Sequence, residues 1–311
     1  MKTLVRTISN STDFEPNRVF IVGNGAVENA GSAILSALDS TFAGRASDFP
    51  YRSPDPQNLN ECLGLLSRHF QTFRLSAIED LINFPEPNAN RTNEQISKGL
   101  KNQIDFLTLH WNLRKVIGTA LSRSFSIRKC PVDSSPEDGV ICLNWDLSFW
   151  NASSEYHNLI QLHGIGSAPE TMIFPTEYWD LEKFLRGQIK STITPQADGR
   201  LPIDSGNSAL ATSLLEILNE TGTTASDSFI ATNEAHKIAV DWLSEANEVI
   251  LWGVRLDPYD AEVSSILLAT NGKPKDKIIV INLKSEMPRF CKLIPTLFPN
   301  AKAYEFIPAD Q

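Results

Sequence analysis

The 311-residue chain predicts an α/β fold: a doubly wound, mostly parallel Rossmann-like sheet with helical insertions. Three observations carry that prediction. Apolar runs rich in β-branched residues recur at 19–22, 140–143, 159–162, 248–252 and 277–281, and they are nearly continuous, as in parallel strands covered on both faces. Segments of helical periodicity separate several of them. The first run also opens straight onto Gly23-Asn24-Gly25, a strand-to-helix glycine turn.

At that first turn, glycine at 23 and 25 lets the backbone bend tightly and come close to a pyrophosphate, while the helix expected over about 29–42 offers unpaired N–H groups at its start. The spacing differs from the dinucleotide fingerprint G-x-G-x-x-G, which would place glycine at 28. The chain has Glu28 there, and the next glycine is Gly31.

A loop rich in Pro, Asp and Asn passes through Pro50, Pro54 and Pro56. Leu63, Leu66, Phe70 and Phe73 then fall at helical spacing, Pro85 and Pro87 interrupt, and a long amphipathic stretch runs from 93 to 121. Residues 55–125 therefore read as a helical insertion beside the sheet. Residues 175–235 are mixed and polar, with Pro195, Gly199, Pro202 and Gly206 marking a loop, and read as a second insertion. Helices are expected over about 234–245 and 260–270. The whole of 1–311 is taken as one elaborated domain.

A net charge of −9 argues against a nucleic-acid surface, which draws on clustered Lys and Arg. No apolar run approaches the roughly 20 residues that cross a bilayer, and residues 1–6 lead into polar sequence instead of a signal-peptide core, so a cytoplasmic protein is expected. Cys62, Cys130, Cys142 and Cys291 form no C-x-x-C pair and read as buried, reduced thiols. His157 and His163 lack a neighbouring carboxylate cluster or an H-E-x-x-H motif, so no metal site is assigned. No G-x-S-x-G elbow supports a serine hydrolase.

Polar and small residues follow the strands in a consistent place. Gly23 and Gly25 follow the first strand, Asn144 and Asp146 the second, His163-Gly164 the third, Gly253 the fourth and Asn282 the fifth. In an open parallel sheet that edge forms the ligand crevice.

Taken in order, these residues resemble the sirtuin family. The stretch from Gly23 to Gly31 looks like its Gly-Ala-Gly-x-Ser-x-x-x-Gly loop, Leu143-Asn144-Trp145-Asp146 its Thr-x-Asn-x-Asp, and Leu162-His163-Gly164 its His-Gly. Gly253 sits at the family's Gly-x-Ser, and Ile281-Asn282 matches its strand-end Ile-Asn. The order agrees over about 19–283. The family's zinc-holding cysteine pairs and its Pro-Asp-Phe-Arg continuation are missing, since Ser32-Ala33-Ile34-Leu35 follows Gly31. What remains is similar to the zinc-free sirtuin-like domains of bacterial immune systems, which the helical insertion before the Asn-x-Asp strand and the segment 171–176 also resemble.

That resemblance implies NAD as substrate, no zinc, and a site in which Asn144 and His163 are catalytic. It also implies contacts to NAD or a related nucleotide from Gly23, Asn24, Gly25, Ala26, Asp146, Gly253 and Asn282. The reaction it implies is cleavage of the nicotinamide–ribose bond by an antiphage effector whose activity is gated by assembly as a homo-oligomer or by a regulatory protein. Glycosyl transfer of this kind passes through an oxocarbenium-like transition state with a leaving group that needs no proton. An asparagine can hold ribose hydroxyls or water through both ends of its amide, and a histidine can take a proton from the attacking water. By residue type and position alone, Asp146 suits holding the start of the next helix better than touching ligand. Two other readings stay open: a catalytically silent nucleotide-binding or scaffold subunit, to which Asn24, Val27 and Glu28 point, and a protein deacylase.

Overall fold

The structure, a computed structural model, describes residues 4–6, 14–42, 111–152, 154–173, 233–256, 261–270 and 272–309, with isolated helical positions between 101 and 108 and between 209 and 216. The expected insertion at 55–125 is described mainly over 111–125. Nearly all of that at 175–235 lies outside the described residues.

Among the described residues seven strands form one sheet: β1 Val5–Arg6, β2 Arg18–Val22, β3 Gly139–Cys142, β4 Asn158–Gln161, β5 Glu248–Trp252, β6 Lys277–Asn282 and β7 Tyr304–Pro308. Their spatial order is β1-β4-β3-β2-β5-β6-β7. Strands β2 to β7 are all parallel, and only the short β1 runs antiparallel, on the outer edge of β4. Counted in chain order, the six parallel strands lie 3-2-1-4-5-6, the order of doubly wound dinucleotide-binding sheets. The fold is α/β and Rossmann-like.

Strand alternation sorts side chains onto two faces. Phe20 and Val22 of β2 join one buried cluster and Val19 and Ile21 the other. The first cluster is covered by α1, Ala30–Phe42, through Ala30, Ile34 and Leu35, and by α2, helical over 111–121, through Leu113, Ile117 and Leu121. The short α3, Ser148–Asn151, adds Phe149 to it. The second cluster is covered by α4, helical over 233–245, by α5, Ala261–Ala269, and by α6, Met287–Leu297. Helices leaving the neighbouring strands β2 and β5 therefore go to opposite faces. The C-terminal ends of those two strands are therefore the switch point at which sheets of this kind bind their ligands.

The predicted strands match the observed ones to within a residue or two. Three elements beyond those expected are present. α6 carries Pro288 in its first turn, where no intrahelical N–H is needed, and Pro295 near its end. β7 is a half-buried edge strand, and β1 is two residues long.

Lys275, just before β6, is almost fully buried. Its Nζ donates to the carbonyls of Leu243, Ser244 (3.1 Å) and Ala246 (2.9 Å) at the end of α4. Among the described residues no helix is long and apolar enough to cross a membrane. The thiols differ in setting: Cys142 is buried, Cys130 half-buried and Cys291 exposed on α6, against the expectation that all would be buried.

Candidate functional site

The glycine turn and the loop after β5 meet backbone to backbone. Gly25 N–H donates to the Gly253 carbonyl at 3.0 Å, and Gly23 N–H to that of Trp252 at 2.9 Å. Gly253 has φ +63°, and a Cβ there would lie 2.3 Å from the Ala26 nitrogen. Reciprocally, a Cβ on Gly23 would stand 2.6 Å from the Gly253 oxygen. The three glycines allow two loops to touch at the crossing point of the sheet.

Much of the turn's donor capacity is used inside the protein. Besides Gly23 and Gly25, Ala26 N–H donates to Gly23, Val27 N–H to Asn24 and Glu28 N–H to Ser126, at 2.9 to 3.2 Å. Val27 is buried in the core and bridges to Ile127. Glu28 faces Arg128 at 3.9 Å, both half-exposed, an arrangement worth little energetically. Asn24 is exposed at the tip of the turn and Ala26 is fully buried.

Beyond the turn, Asn29 adopts φ +63° and α1 begins. The opening turn of a helix carries N–H groups without intrahelical partners and a partial positive charge. A cleft of about 500 Å³ lies beside it, lined by Asn29, Ser32, Ser36, Arg123, Ser124 and Phe125. The guanidinium of the exposed Arg123 lies 4.9 Å from the centre of the Phe125 ring, so a cation lines the same cleft as the helix start.

Asn144 and His163 emerge from adjacent parallel strands. Cys142 of β3 pairs with Gln161 of β4, and Leu162 N–H donates to the Cys142 carbonyl at 2.9 Å, so residues 144 and 163 stand two steps beyond a matched pair. Neighbouring strands lie roughly 4.8 Å apart. Asn144 is nearly buried, and its Nδ2 donates to the Gly23 carbonyl at 3.2 Å, tying the β3 end to the glycine turn. His163 is half-buried, and its carbonyl accepts from Ile173 N–H at 2.9 Å. The following Gly164, at φ +82°, is pressed so closely on Thr171 that a Cβ would fall 2.0 Å from its oxygen.

Asp146 accepts the Ser148 N–H at 2.8 Å at the start of α3. It is 2% exposed, and burial raises its carboxyl above the ordinary range while the Ser148 bonds oppose that shift. Asn282 donates to the Val254 carbonyl at 2.6 Å and accepts from Leu283 N–H at 2.9 Å. Both hold backbone in this structure. The strand-end residues thus gather at one edge, with Asn144 and Asn282 bracing the two loops that meet there.

Three residues escaped the sequence reading. Gln161, on the same face as Leu159, is fully buried with neither amide atom hydrogen-bonded, an arrangement that costs about 1–3 kcal/mol. Its signal was a glutamine inside an apolar strand. Arg114 of α2 reaches the carbonyls of Met172 and Pro169, bracing the segment against which Gly164 packs. Arg289 of α6 holds the loop after β5, and nothing local in the sequence marks it.

A second cleft, of about 380 Å³, lies at the opposite, N-terminal edge of the sheet beside Arg18, Asp138 and Glu248. Arg18 and Asp138 form a two-pronged ion pair there at 3.0 and 2.7 Å, and Asp138 also accepts from Ser135 N–H. The carboxylate raises the Arg18 pKa and secures the entries to β2 and β3. Among the described residues no three His, Cys, Asp or Glu side chains gather as a metal site.

No family model, no curated protein and no solved structure matches this chain.

Proposed function

We propose that the chain binds NAD across the C-terminal edge of its sheet and hydrolyses the nicotinamide–ribose bond, as the sirtuin-like resemblance implies. The observation that carries this reading is the register of β3 and β4, which puts residues 144 and 163 at adjacent strand ends, with the Asn144 amide tied to the glycine turn. Water adds to the ribose carbon as the C–N bond breaks, neutral nicotinamide leaves, and the proton lost by water passes to His163. ADP-ribose is the other product. Asn144 orients the ribose or the water. With most of the glycine-turn amides already hydrogen-bonded, the pyrophosphate is assigned to the first turn of α1 and to Arg123. An antiphage effector released by assembly or by a partner protein is the setting in which such a reaction would be restrained.

A second reading has its own support. Five amides of the turn and the Asn144 Nδ2 are committed within the protein, which suits a nucleotide-binding subunit without catalysis. One comparison separates the two: nicotinamide release from NAD by wild type, Asn144→Ala and His163→Ala, at dilute and at assembly-promoting protein concentrations. Hydrolysis predicts release by wild type and a loss of about 100-fold or more in each variant. Nucleotide binding without release at any concentration establishes the silent subunit and overturns the hydrolase.

A further inference from the structure

Three consecutive carbonyls after β5 are each held by a side chain from the β6–α6 side. Asn282 Nδ2 donates to Val254 at 2.6 Å, Arg289 Nη1 to Arg255 at 2.5 Å, and Arg289 Nη2 to Leu256 at 2.5 Å. One guanidinium therefore spans two successive peptide groups, a task its planar fork performs and a lysine ammonium does not. The loop needs such a restraint. Leu256 sits at φ +52°, a conformation unfavourable for a residue with a branched side chain, and Gly253 at +63° begins the same segment. Val254 and Leu256 are buried in the core while Arg255 is exposed, so the chain is threaded inward, outward and inward again within three residues.

The direction of the carbonyls fixes that of the amides. In a trans peptide the C=O of one residue and the N–H of the next point opposite ways, and among the described residues no peptide bond is cis. With the Val254 and Arg255 carbonyls turned toward β6 and α6, the N–H groups of Arg255 and Leu256 turn away from them. β2 lies on that other side of β5, with its glycine turn hydrogen-bonded to Gly253.

We infer that Arg289 is a positioning residue for the site proposed above. By clamping the Arg255 and Leu256 carbonyls it keeps Gly253 against Gly25 and Ala26, and so holds the glycine turn, and with it the start of α1, in place. The inference rests on the nucleotide-binding reading, and its test keeps the two apart.

Amide hydrogen exchange of the ligand-free protein reports the clamp, and titration with ADP-ribose reports its consequence. In Arg289→Met, exchange at Gly25 and Gly253, whose amides are hydrogen-bonded where the two loops meet, rises about tenfold or more while the centres of β5 and β6 keep their protection, and the ADP-ribose dissociation constant rises about tenfold. Arg289→Lys, which keeps the charge but not the fork, gives the same loop-restricted rise, smaller in size, and serves if the Met variant fails to fold. Methylguanidine restores affinity to Arg289→Ala. Unchanged loop exchange in the Lys and Met variants overturns the inference, as does faster exchange with unaltered affinity, which would make the clamp purely structural. Failure of wild type to bind ADP-ribose appears in the wild-type titration alone and overturns the nucleotide reading, and this inference with it.

Discussion

Gly253→Ala is expected to destabilise the protein by about 3 kcal/mol or more and to abolish nucleotide binding. Two effects add at this position. The φ of +63° strains any residue with a Cβ, and that Cβ would sit 2.3 Å from the Ala26 nitrogen and 2.4 Å from the Gly25 carbonyl carbon. Neither neighbour is a side chain that can swing aside, so the loop after β5 must move off the glycine turn. The Gly25 to Gly253 hydrogen bond is lost as it does. Gly272→Ala supplies the control, because a Cβ there meets nothing within 4 Å, and its effect is expected to stay within about 0.5 kcal/mol. Thermal or urea unfolding of the two variants measures the contrast. Equal effects would mean that the loops do not touch as described.

The second large effect is expected at Lys275, far from the site. Replacing it by Met leaves the Leu243, Ser244 and Ala246 carbonyls at the end of α4 without their donor, at a cost of about 3 kcal/mol near neutral pH. Burial, and then the charge of Lys273, lower the Lys275 pKa to about 8. The unfolded chain holds that proton up to about pH 10.5. Between these values the unfolded state binds more protons than the folded one, so the stability of wild type relative to the Met variant rises from pH 8 toward 10.5 and is flat below 8. Urea unfolding of both proteins across that range measures it. A difference that shrinks on going from pH 8 to 10 would contradict the assignment.

The strands that position the site were legible because each is an apolar, β-branched run bounded by turn residues. The strand-end glycines, Asn144 and His163 were legible for the same reason, since a parallel sheet puts every such end on one edge. β7 was not, because a half-buried edge strand such as Tyr-Glu-Phe-Ile-Pro lacks a continuous apolar signal, and the prolines at 288 and 295 disguised α6. The contacts across the edge were hidden for a different reason. That Gly25 meets Gly253, residues 228 positions apart, follows from β2 lying beside β5, and strand order is not written in any local pattern. The same holds for Arg289, which reaches carbonyls more than 30 positions away. Residue types at 144, 146 and 282 suggested ligand contacts, but each can equally bind backbone, and only the fold shows what stands opposite them.

The position of a bound product tests the account most directly. In crystals grown with ADP-ribose, the pyrophosphate should lie at the first turn of α1 within reach of Arg123, with the distal ribose between Asn144 and His163. Density instead in the cleft beside Arg18 and Asp138 at the other edge of the sheet, or no occupancy at millimolar ligand, would contradict it.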